Sequence, residues 1–211
     1  MAAGSLVGLT TRPAQDVELI LSGDAGRRVK RRYTIRSARP DLGEIDVDAL
    51  LHGAGPGSEW AAAASVGAEV ELLGPRGKLE LRPAGSHLFI GDESAVPAFA
   101  SIIAALPPGE DALAVVEVAG PTDELPLGAP TRWVHREGVP AGRPDLLTAA
   151  VRALPASIGT SRTGTSRAYL LGETRAMIAL RPVLHELGVA DEAIFVKGYW
   201  NLGRAGRPRP A

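Results

Sequence analysis

Residues 31 to 36 read Arg31-Arg32-Tyr33-Thr34-Ile35-Arg36, and this run decides how the first half of the chain is interpreted. Long cations alternate with an aromatic, a hydroxyl and a branched aliphatic side chain, which favours a β-strand with one polar and one inward face. Guanidinium groups beside an aromatic ring and a hydroxyl suit a planar, phosphate-bearing ligand. The same residues also fit an ordinary strand with a basic, solvated edge, so the rest of the chain has to decide between these interpretations.

Short strands and turns surround this run. Apolar and polar residues alternate before it, and the turn Gly23-Asp24-Ala25-Gly26 returns the chain into it, as in a hairpin. The turn Gly74-Pro75-Arg76-Gly77 closes the last strand of this part. The succession predicts an antiparallel barrel or sandwich over residues 1–83. The predicted strands are Asp16 to Ser22, Arg31 to Ser37, Glu44 to His52 and Ala68 to Leu73.

Short apolar strands alternate with helices in residues 84–211, which is typical of a doubly wound parallel sheet covered on both faces. Ala112 to Ala119 is apolar apart from Glu117. Pro182 is expected to interrupt and kink the last helix, because proline lacks the N–H group that a helix needs. The other predicted strands are His87 to Gly91, Thr131 to His135, Ala168 to Leu171 and Ala193 to Lys197, and the predicted helices are Ala98 to Leu106, Asp145 to Leu154 and Thr174 to Leu187.

Composition narrows the classes of function. The 211 residues carry 23 Lys and Arg against 24 Asp and Glu, and this balance argues against general nucleic-acid binding and against a polybasic membrane surface. The chain has no Cys, which excludes disulfides, Cys-ligated zinc, iron–sulfur clusters and thiol catalysis. No stretch approaches the roughly 20 apolar residues of a membrane-spanning helix. We therefore expect a soluble, cytoplasmic protein with small-molecule partners and no metal site.

Two Gly-containing turns precede predicted helices. The first, Gly53-Ala54-Gly55-Pro56-Gly57-Ser58, leads into a short helix from Glu59 to Ala64 that Ser58 is expected to cap. Backbone N–H groups in such a turn can hold a diphosphate, although a plain capped turn explains the same pattern. In the second turn, Gly91-Asp92-Glu93-Ser94, the two carboxylates are expected mainly to cap the following helix and to interact with its dipole.

Four pieces of the sequence together resemble the siderophore-interacting proteins, which are FAD-containing ferric-siderophore reductases of the ferredoxin-reductase-like superfamily. The pieces occur in the family's order and with its spacing across nearly the whole chain. They are residues 31–36; Leu51-His52-Gly53 with Gly55-Pro56-Gly57-Ser58-Glu59-Trp60-Ala61; Gly91-Asp92-Glu93-Ser94-Ala95-Val96-Pro97-Ala98; and Gly172-Glu173 with Gly198-Tyr199-Trp200.

The resemblance implies an N-terminal FAD-binding barrel in residues 1–83 and an NAD(P)-binding α/β domain in residues 84–211. It implies that Tyr33 stacks on the isoalloxazine ring and that Thr34 hydrogen-bonds near its reactive nitrogen, so these two are the expected catalytic residues. An arginine of the same run is expected at the diphosphate. The residues expected to bind FAD or the nicotinamide dinucleotide are Arg31, Tyr33, Thr34, Ile35, Arg36, Leu51, His52, Gly57, Ser58, Trp60, Gly91, Asp92, Glu93, Ser94, Gly172, Glu173 and Trp200.

Two positions near the chain end have open interpretations. The resemblance places Trp200 near the flavin, while a core tryptophan that closes the last strand explains it equally well. Lys197 and Arg204 are the candidates for binding an anionic ferric chelate, although basic residues in such a segment are usually only solvated.

The function that the resemblance implies is electron transfer from NADPH or NADH through FAD to a ferric siderophore. Reduction frees the metal, because hard oxygen donors hold Fe(III) more tightly than Fe(II). The alternatives are a flavin oxidoreductase with another acceptor and a truncated, non-catalytic flavin-binding protein. The last is considered because relatives usually carry one or two strands before this starting point, so a barrel edge is expected to be unpaired. The protein is expected to be a monomer.

Overall fold

The computed structural model describes residues 1–23, 26–52, 55–155 and 166–203. These residues form two compact units that divide between Glu80 and Leu81. The boundary expected from the sequence, between residues 83 and 84, lies three residues further along. Each unit is described by itself.

The first unit contains β1 (Asp16–Ser22), β2 (Arg28–Arg39), β3 (Glu44–Val47), α1 (Pro56–Ala63) and β4 (Glu71–Arg76). Its strands form an antiparallel, barrel-like sheet in the order β3-β2-β1-β4. The predicted hairpin is confirmed, since β1 pairs with β2 and Val17 lies opposite Tyr33. Alternation also determines the core: Val17, Leu19 and Leu21 are at most 4% exposed.

The opposite face of β1 carries buried carboxylates. Asp16 and Glu18 are 4% and 6% exposed. The Nε atom of Arg32 lies 3.8 Å from Oδ1 of Asp16 and 3.7 Å from Oε1 of Glu18. Lys30 Nζ and Arg76 Nη1 lie 3.8 Å and 3.6 Å from Oε2 of Glu18. Cations from both neighbouring strands therefore compensate the charges on β1.

Two predicted strand boundaries in this unit were wrong. β3 ends at Val47 rather than at His52, because the Asp48 side chain turns to Arg36 and Leu51 is 61% exposed. β4 begins at Glu71 and continues through the residues predicted as a turn. Pro75 is tolerated there because β4 is an edge strand, where a missing backbone N–H group costs little.

The two edges of this sheet differ. Along β3, Ala2 pairs with Glu44, and the Ala3 N–H group donates to the Gly43 carbonyl oxygen at 3.0 Å. Along β4, no further strand of the described residues is paired. The unpaired edge expected from the sequence is therefore β4 within the described part of the chain.

The second unit alternates strands and helices as predicted, except that β7 follows β6 without an α-helix between them. Its elements are β5 (Ser86–Asp92), α2 (Val96–Ile103), β6 (Asp111–Val118), β7 (Thr131–His135), α3 (Asp145–Arg152), β8 (Ser166–Glu173), α4 (Thr174–Glu186) and β9 (Ile194–Trp200).

All five strands of this unit are parallel and lie in the order β7-β6-β5-β8-β9. The chain moves outward in one direction from β5 to β7 and then returns to the other side with β8. The switch point therefore lies between β5 and β8, and ligands of such sheets bind at the carboxyl ends of these strands. The predicted fold class, an antiparallel unit followed by a doubly wound parallel sheet, is confirmed.

Both faces of the parallel sheet are buried. Ile90 packs on one face with residues of α3 and α4 such as Leu147 and Leu180. On the other face, the Phe89 ring lies 5.4 Å from the Phe99 ring of α2 and 4.9 Å from the Tyr169 ring of β8, between centroids. Burial on both faces explains why these strands read as apolar runs rather than as alternating patterns.

Pro182 does not interrupt α4 as expected. The helix runs through it, because neighbours such as Leu180 and Leu184 are fully buried and offset the lost hydrogen bond. His87, near the start of β5, is 1% exposed, and its Nε2 and Nδ1 atoms lie 2.7 Å from Glu110 Oε2 and 3.2 Å from the Tyr169 hydroxyl. No helix in the described ranges is both long and apolar enough to span a bilayer.

The packing of α4 gives a direct test of this core. Leu180→Ala removes a fully buried side chain, so we expect it to lower the free energy of unfolding by about 2 to 5 kcal/mol in urea denaturation. Ile178→Ala on the same helix is the matched control, because Ile178 is 55% exposed, and its effect should stay within about 0.5 kcal/mol. Equal losses in the two variants would contradict the assigned core face.

Candidate functional site

In the first unit, the start of α1 lies against the middle of β2. A β-carbon at Gly57 would lie 2.8 Å from the Tyr33 hydroxyl oxygen and 3.5 Å from Cγ of Arg31, so a larger residue here would have to displace the Tyr33 hydroxyl. The Tyr33 and Trp60 rings are 6.3 Å apart between centroids. The structure thus brings together four of the predicted site residues: a guanidinium, two aromatic rings and the helix start.

The three arginines of this run differ in whether a carboxylate pairs with them. Arg32 is paired with Asp16 and Glu18 on the other face of the sheet, and Arg36 Nε donates to Asp48 Oδ1 at 3.0 Å. Arg31 donates to the Lys30 carbonyl oxygen at 2.9 Å and forms no ion pair with a described carboxylate. Burial raises the pKa of the Tyr33 phenol, while the charge of Arg31 opposes the shift, so the hydroxyl stays protonated at neutral pH.

The residues that follow Tyr33 on β2 are buried. Thr34 is 8% exposed and lies opposite Asp16 in the β1–β2 register. Ile35 is 3% exposed, and its side chain packs into the core of the unit. Because Arg31, Tyr33 and Ile35 are spaced two residues apart, they share one face of β2, and Tyr33 packs against the same core as Ile35.

The first Gly-containing turn has a different cap from the one predicted. α1 begins at Pro56 with Gly55 as its N-cap, because proline is favoured at the first helical position. Ser58 consequently lies inside the first turn, where its Oγ lies 3.3 Å from both the N and the O atoms of His52. His52 and Leu51 are exposed beside it, while Gly53 and Ala54 lie outside the described residues.

In the second unit, the predicted residues of the second turn meet at the switch point of the sheet. A β-carbon at Gly91 would lie 2.1 Å from the Leu171 carbonyl oxygen. Gly172 has φ +153°, and a β-carbon there would lie 2.6 Å from Oδ2 of Asp92. These two glycines let the ends of β5 and β8 approach closely enough for Asp92 to reach the neighbouring strand.

Asp92 is buried and fully hydrogen-bonded. It is 4% exposed, and its Oδ1 accepts hydrogen bonds from the Ser94 N–H group and hydroxyl. Its Oδ2 accepts from the Glu173 N–H group at 2.9 Å and from Trp200 Nε1 at 2.8 Å. Burial raises the pKa of Asp92, and these donors lower it. The predicted capping role of Asp92 is confirmed by its bond to the Ser94 N–H group.

Glu93 has another role than the predicted cap. Its carboxylate forms a bidentate pair with Arg136, which is 7% exposed and whose Nη1 lies 2.7 Å from Oε2 of Glu93. The same nitrogen lies 3.4 Å from Oε1 of Glu117. Glu93 thus stays in the first turn of the short helical segment after Asp92, and its carboxylate is engaged by Arg136.

Glu117 was not predicted as a site residue, although it is the charged exception in an apolar strand. It is 2% exposed, and its Oε2 has no hydrogen-bond partner among the described residues. Burial raises its pKa from 4.5 to about 7, and the charge of Arg136 opposes the shift. Arg136 was missed as well, because it lies in no motif and meets both carboxylates only through the fold.

Glu173 and Trp200 complete this edge. Glu173 Oε2 accepts from the Ala176 N–H group of α4 at 2.7 Å, and its Oε1 accepts from the Leu202 N–H group at 3.0 Å. Trp200 is partly buried rather than a core residue. Lys197 Nζ lies 4.9 Å from the centre of the Tyr199 ring, and Arg204 lies outside the described residues.

The edge as a whole is negatively charged. Four carboxylates (Asp92, Glu93, Glu117 and Glu173) lie along it, and the guanidinium of Arg136 pairs with two of them, Glu93 and Glu117. Within the described residues, no cluster of His, Asp or Glu is arranged to hold a metal ion. The arrangement can fix an aromatic ring and hold a proton on Glu117, whereas a phosphate placed directly against it would be repelled.

The raised pKa of Glu117 gives a pH prediction. Its folded pKa of about 7 exceeds the ordinary 4.5, so the folded chain binds more protons between these values. The free energy of unfolding should therefore fall as the pH rises through this window. The fall should be about 1 to 3 kcal/mol larger in the wild type than in Glu117→Gln, which has no titrating group at this position. Urea denaturation from pH 5 to 8 measures it. The exposed Glu192 provides the control, since Glu192→Gln should keep the wild-type slope; an unchanged slope in Glu117→Gln would refute the assignment.

Comparison with known proteins identifies the family of the chain. The family model described as Siderophore-interacting protein matches residues 84–203, and that described as Siderophore-interacting FAD-binding domain matches residues 9–79. An uncharacterized protein of Mycobacterium tuberculosis is 39% identical over 193 residues, which cover 85% of this chain and 68% of that protein. Ferric vibriobactin reductase ViuB of Vibrio cholerae is 33% identical over 183 residues, covering 83% and 66%.

A solved structure extends the likeness to the whole fold. The crystal structure of a siderophore utilization protein from T. fusca has a TM-score of 0.83 at 28% identity, covering 98% of this chain and 87% of that one. The chain spans about two thirds of the length of the curated relatives named above. It carries an FAD-binding domain of the siderophore-interacting type at residues 9–79. The chain therefore belongs to the siderophore-interacting protein family.

Proposed function

We propose that this protein is a flavin-dependent ferric-siderophore reductase that takes electrons from NADPH or NADH. Two relatives support the acceptor: ferric vibriobactin reductase ViuB, and a ferric acinetobactin reductase from Acinetobacter baumannii that is 35% identical over 95 residues. The observation that carries the proposal is the assembly of Arg31, Tyr33 and Gly57 in the domain whose family binds FAD.

This assembly fits a planar group that carries phosphates. Tyr33 offers an aromatic ring next to the start of α1, and Gly57 keeps the space beside its hydroxyl free of a side chain. Trp60 packs against the same ring and limits its movement. The ring face of Tyr33 would therefore orient an isoalloxazine, and the phenol, which burial keeps protonated, would donate a hydrogen bond.

Arg31 is the residue proposed for the diphosphate of FAD. Arg32 and Arg36 already have carboxylate partners, so contact with a phosphate would cost each an existing ion pair. Arg31 has no such partner among the described residues and lies next to the helix start. Ser58, His52 and Leu51, on the segment that enters α1, are proposed to line the same part of the cofactor.

FAD, when bound, supplies the conversion between a two-electron donor and the one-electron reduction of Fe(III). The chain's own residues have to orient the groups rather than act as general bases or nucleophiles. Thr34 is proposed to supply a hydroxyl hydrogen bond to the flavin edge and, with Tyr33, to form the catalytic pair. Its near-complete burial, 8% exposed, would keep water from that bond.

The nicotinamide dinucleotide is proposed to bind at the switch point, along Gly91–Ser94 and at Gly172 and Glu173. The reversal of strand order between β5 and β8 supports this location. The acidic edge disfavours phosphate there, so the phosphates are proposed to lie nearer Arg175, exposed in the first turn of α4, which would also meet the 2′-phosphate of NADPH.

The remaining elements of the proposal concern the iron chelate and the cellular setting. Lys197, whose charged group lies over the Tyr199 ring, is proposed to contact an anionic ferric chelate, with Arg204 as a second cation. The protein is proposed to act as a cytoplasmic monomer.

Binding of FAD tests the role of Arg31. Arg31→Gln should raise the dissociation constant for FAD by about tenfold or more, because a hydrogen bond from a charged donor is lost. Flavin fluorescence titration of the apoprotein measures this constant. Arg32→Gln is the matched control, since the adjacent Arg32 pairs with Asp16 and Glu18 on the opposite face, and it should stay within about threefold of wild type. Equal losses would reject Arg31 as the diphosphate residue.

Turnover tests the proposed function itself. The FAD-loaded protein, supplied with NADPH or NADH, should release ferrous iron from catecholate or hydroxamate ferric siderophores, and a ferrous chelator should trap it as a coloured complex. Tyr33→Ala should lower the rate at least about tenfold, because the ring that orients the flavin is removed. A colourless protein that cannot be reconstituted with FAD, or one that reduces only small redox proteins, would overturn the proposal.

A further inference from the structure

We propose that Asp92 is a positioning residue for Trp200, and that it fixes the indole ring at the switch point, where the planar ring of the nicotinamide donor binds. The inference rests on the proposed function for the identity of the donor. Its structural basis, the bond between two residues 108 positions apart in the chain, does not depend on that identity.

The two oxygens of Asp92 have separate tasks. Oδ1 serves its own turn through Ser94, as a helix cap does. Oδ2 reaches across the sheet and accepts from the Glu173 N–H group and the Trp200 indole N–H group. A helix cap requires only the first of these oxygens, so the second bond to Trp200 goes beyond what the local turn needs.

Trp200 is restrained on several sides. Thr174 Oγ1 donates to its carbonyl oxygen at 3.0 Å. A β-carbon at Gly142 would lie 2.9 Å from Cη2 of the indole and 3.1 Å from Cγ of Glu173, so glycine leaves the room that the ring occupies. The indole is therefore held at its nitrogen by Asp92 and lies close to Gly142, while Thr174 fixes the backbone of the same residue.

Trp200 is nevertheless not fully enclosed by the described residues. Trp200 is partly buried, whereas aromatic residues of the core such as Phe89 and Phe99 are fully buried. A tryptophan that only filled the core would not need a buried carboxylate, whose removal from water costs several kcal/mol. An immobilised ring with a free surface binds a planar ligand at little conformational-entropy cost.

The location matches such a ligand. Asp92 and Glu173 end β5 and β8, the two strands between which the strand order reverses. Planar nucleotide rings bind at this point in doubly wound sheets. The negative charges of this edge disfavour phosphates but not an uncharged or cationic ring, so stacking on Trp200 is the interaction that the edge allows.

The test combines steady-state kinetics with a measurement on the apoprotein. Asp92→Asn should raise KM for NAD(P)H about tenfold and leave KM for the ferric siderophore within about twofold, because only the donor ring meets Trp200. Trp200→Phe should act similarly, since it keeps a ring but loses the N–H group. In the double variant, Asp92→Asn should change KM for NAD(P)H by less than twofold relative to Trp200→Phe alone. Glu110→Gln, the same chemical change at the other end of the sheet, is the control and should leave both KM values unchanged.

Nuclear magnetic resonance supplies the readout that does not need turnover. The Trp200 indole N–H resonance is identified by its absence in Trp200→Phe, and in Asp92→Asn it should move toward the position of a solvent-exposed indole. Titration with oxidised NAD(P)+ should shift this resonance in the wild type. The dissociation constant obtained from this shift should rise by about tenfold in Asp92→Asn.

Several outcomes would overturn the inference. One is that Asp92→Asn raises KM for NAD(P)H as much in the Trp200→Phe background as in the wild type. Another is that Asp92→Asn raises KM for NAD(P)H and KM for the ferric siderophore equally. The third is that the indole resonance moves in Asp92→Asn while the affinity for NAD(P)+ stays unchanged. If Asp92→Asn does not fold, Trp200→Phe decides alone, since it leaves the carboxylate in place, and an unchanged donor KM would reject the proposal. Absence of reductase turnover would reject the proposed function. The NAD(P)+ titration would then still test whether Asp92 positions Trp200 for ligand binding.

Discussion

The close approach of β5 and β8 is the constraint on which the second unit depends. It requires glycine twice, because a side chain at Gly91 would enter the Leu171 carbonyl group and one at Gly172 would displace the Asp92 carboxylate. With both side chains absent, a carboxylate from one strand can accept hydrogen bonds from the backbone of the next strand and from an indole beyond it. The burial of Asp92 between the two strands follows from this packing requirement.

Charge is distributed differently at the two candidate sites. In the first unit, Arg31 has no carboxylate partner among the described residues, while its neighbours Arg32 and Arg36 are paired, so Arg31 is the arginine of this run that can meet an anionic ligand without losing an ion pair. At the edge of the second unit, carboxylates outnumber the one buried guanidinium. The first arrangement suits a phosphate, whereas the second disfavours a phosphate placed directly against it.

The sequence allowed the fold to be predicted where local periodicity decides it, and less where distant residues meet. Alternation at Val17, Leu19 and Leu21 predicted the hairpin, and the apolar run around Val115 predicted a sheet buried on both sides. The start of α1 was missed because Gly55 and Ser58 both make acceptable caps, and the choice depends on Pro56. The contacts of Asp92 with Trp200 and of Arg136 with Glu117 join strands far apart in the chain, so no local pattern carries them.

The charged face of β1 has a consequence for folding fidelity. A strand that slips by one residue against its partner turns every side chain to the other side of the sheet. In β1 such a slip would press Asp16 and Glu18 into an apolar interior and place Val17 and Leu19 among the cations of the opposite face. The ion pairs of Glu18 with Arg32 and Arg76 therefore favour the native strand alignment over a shifted one.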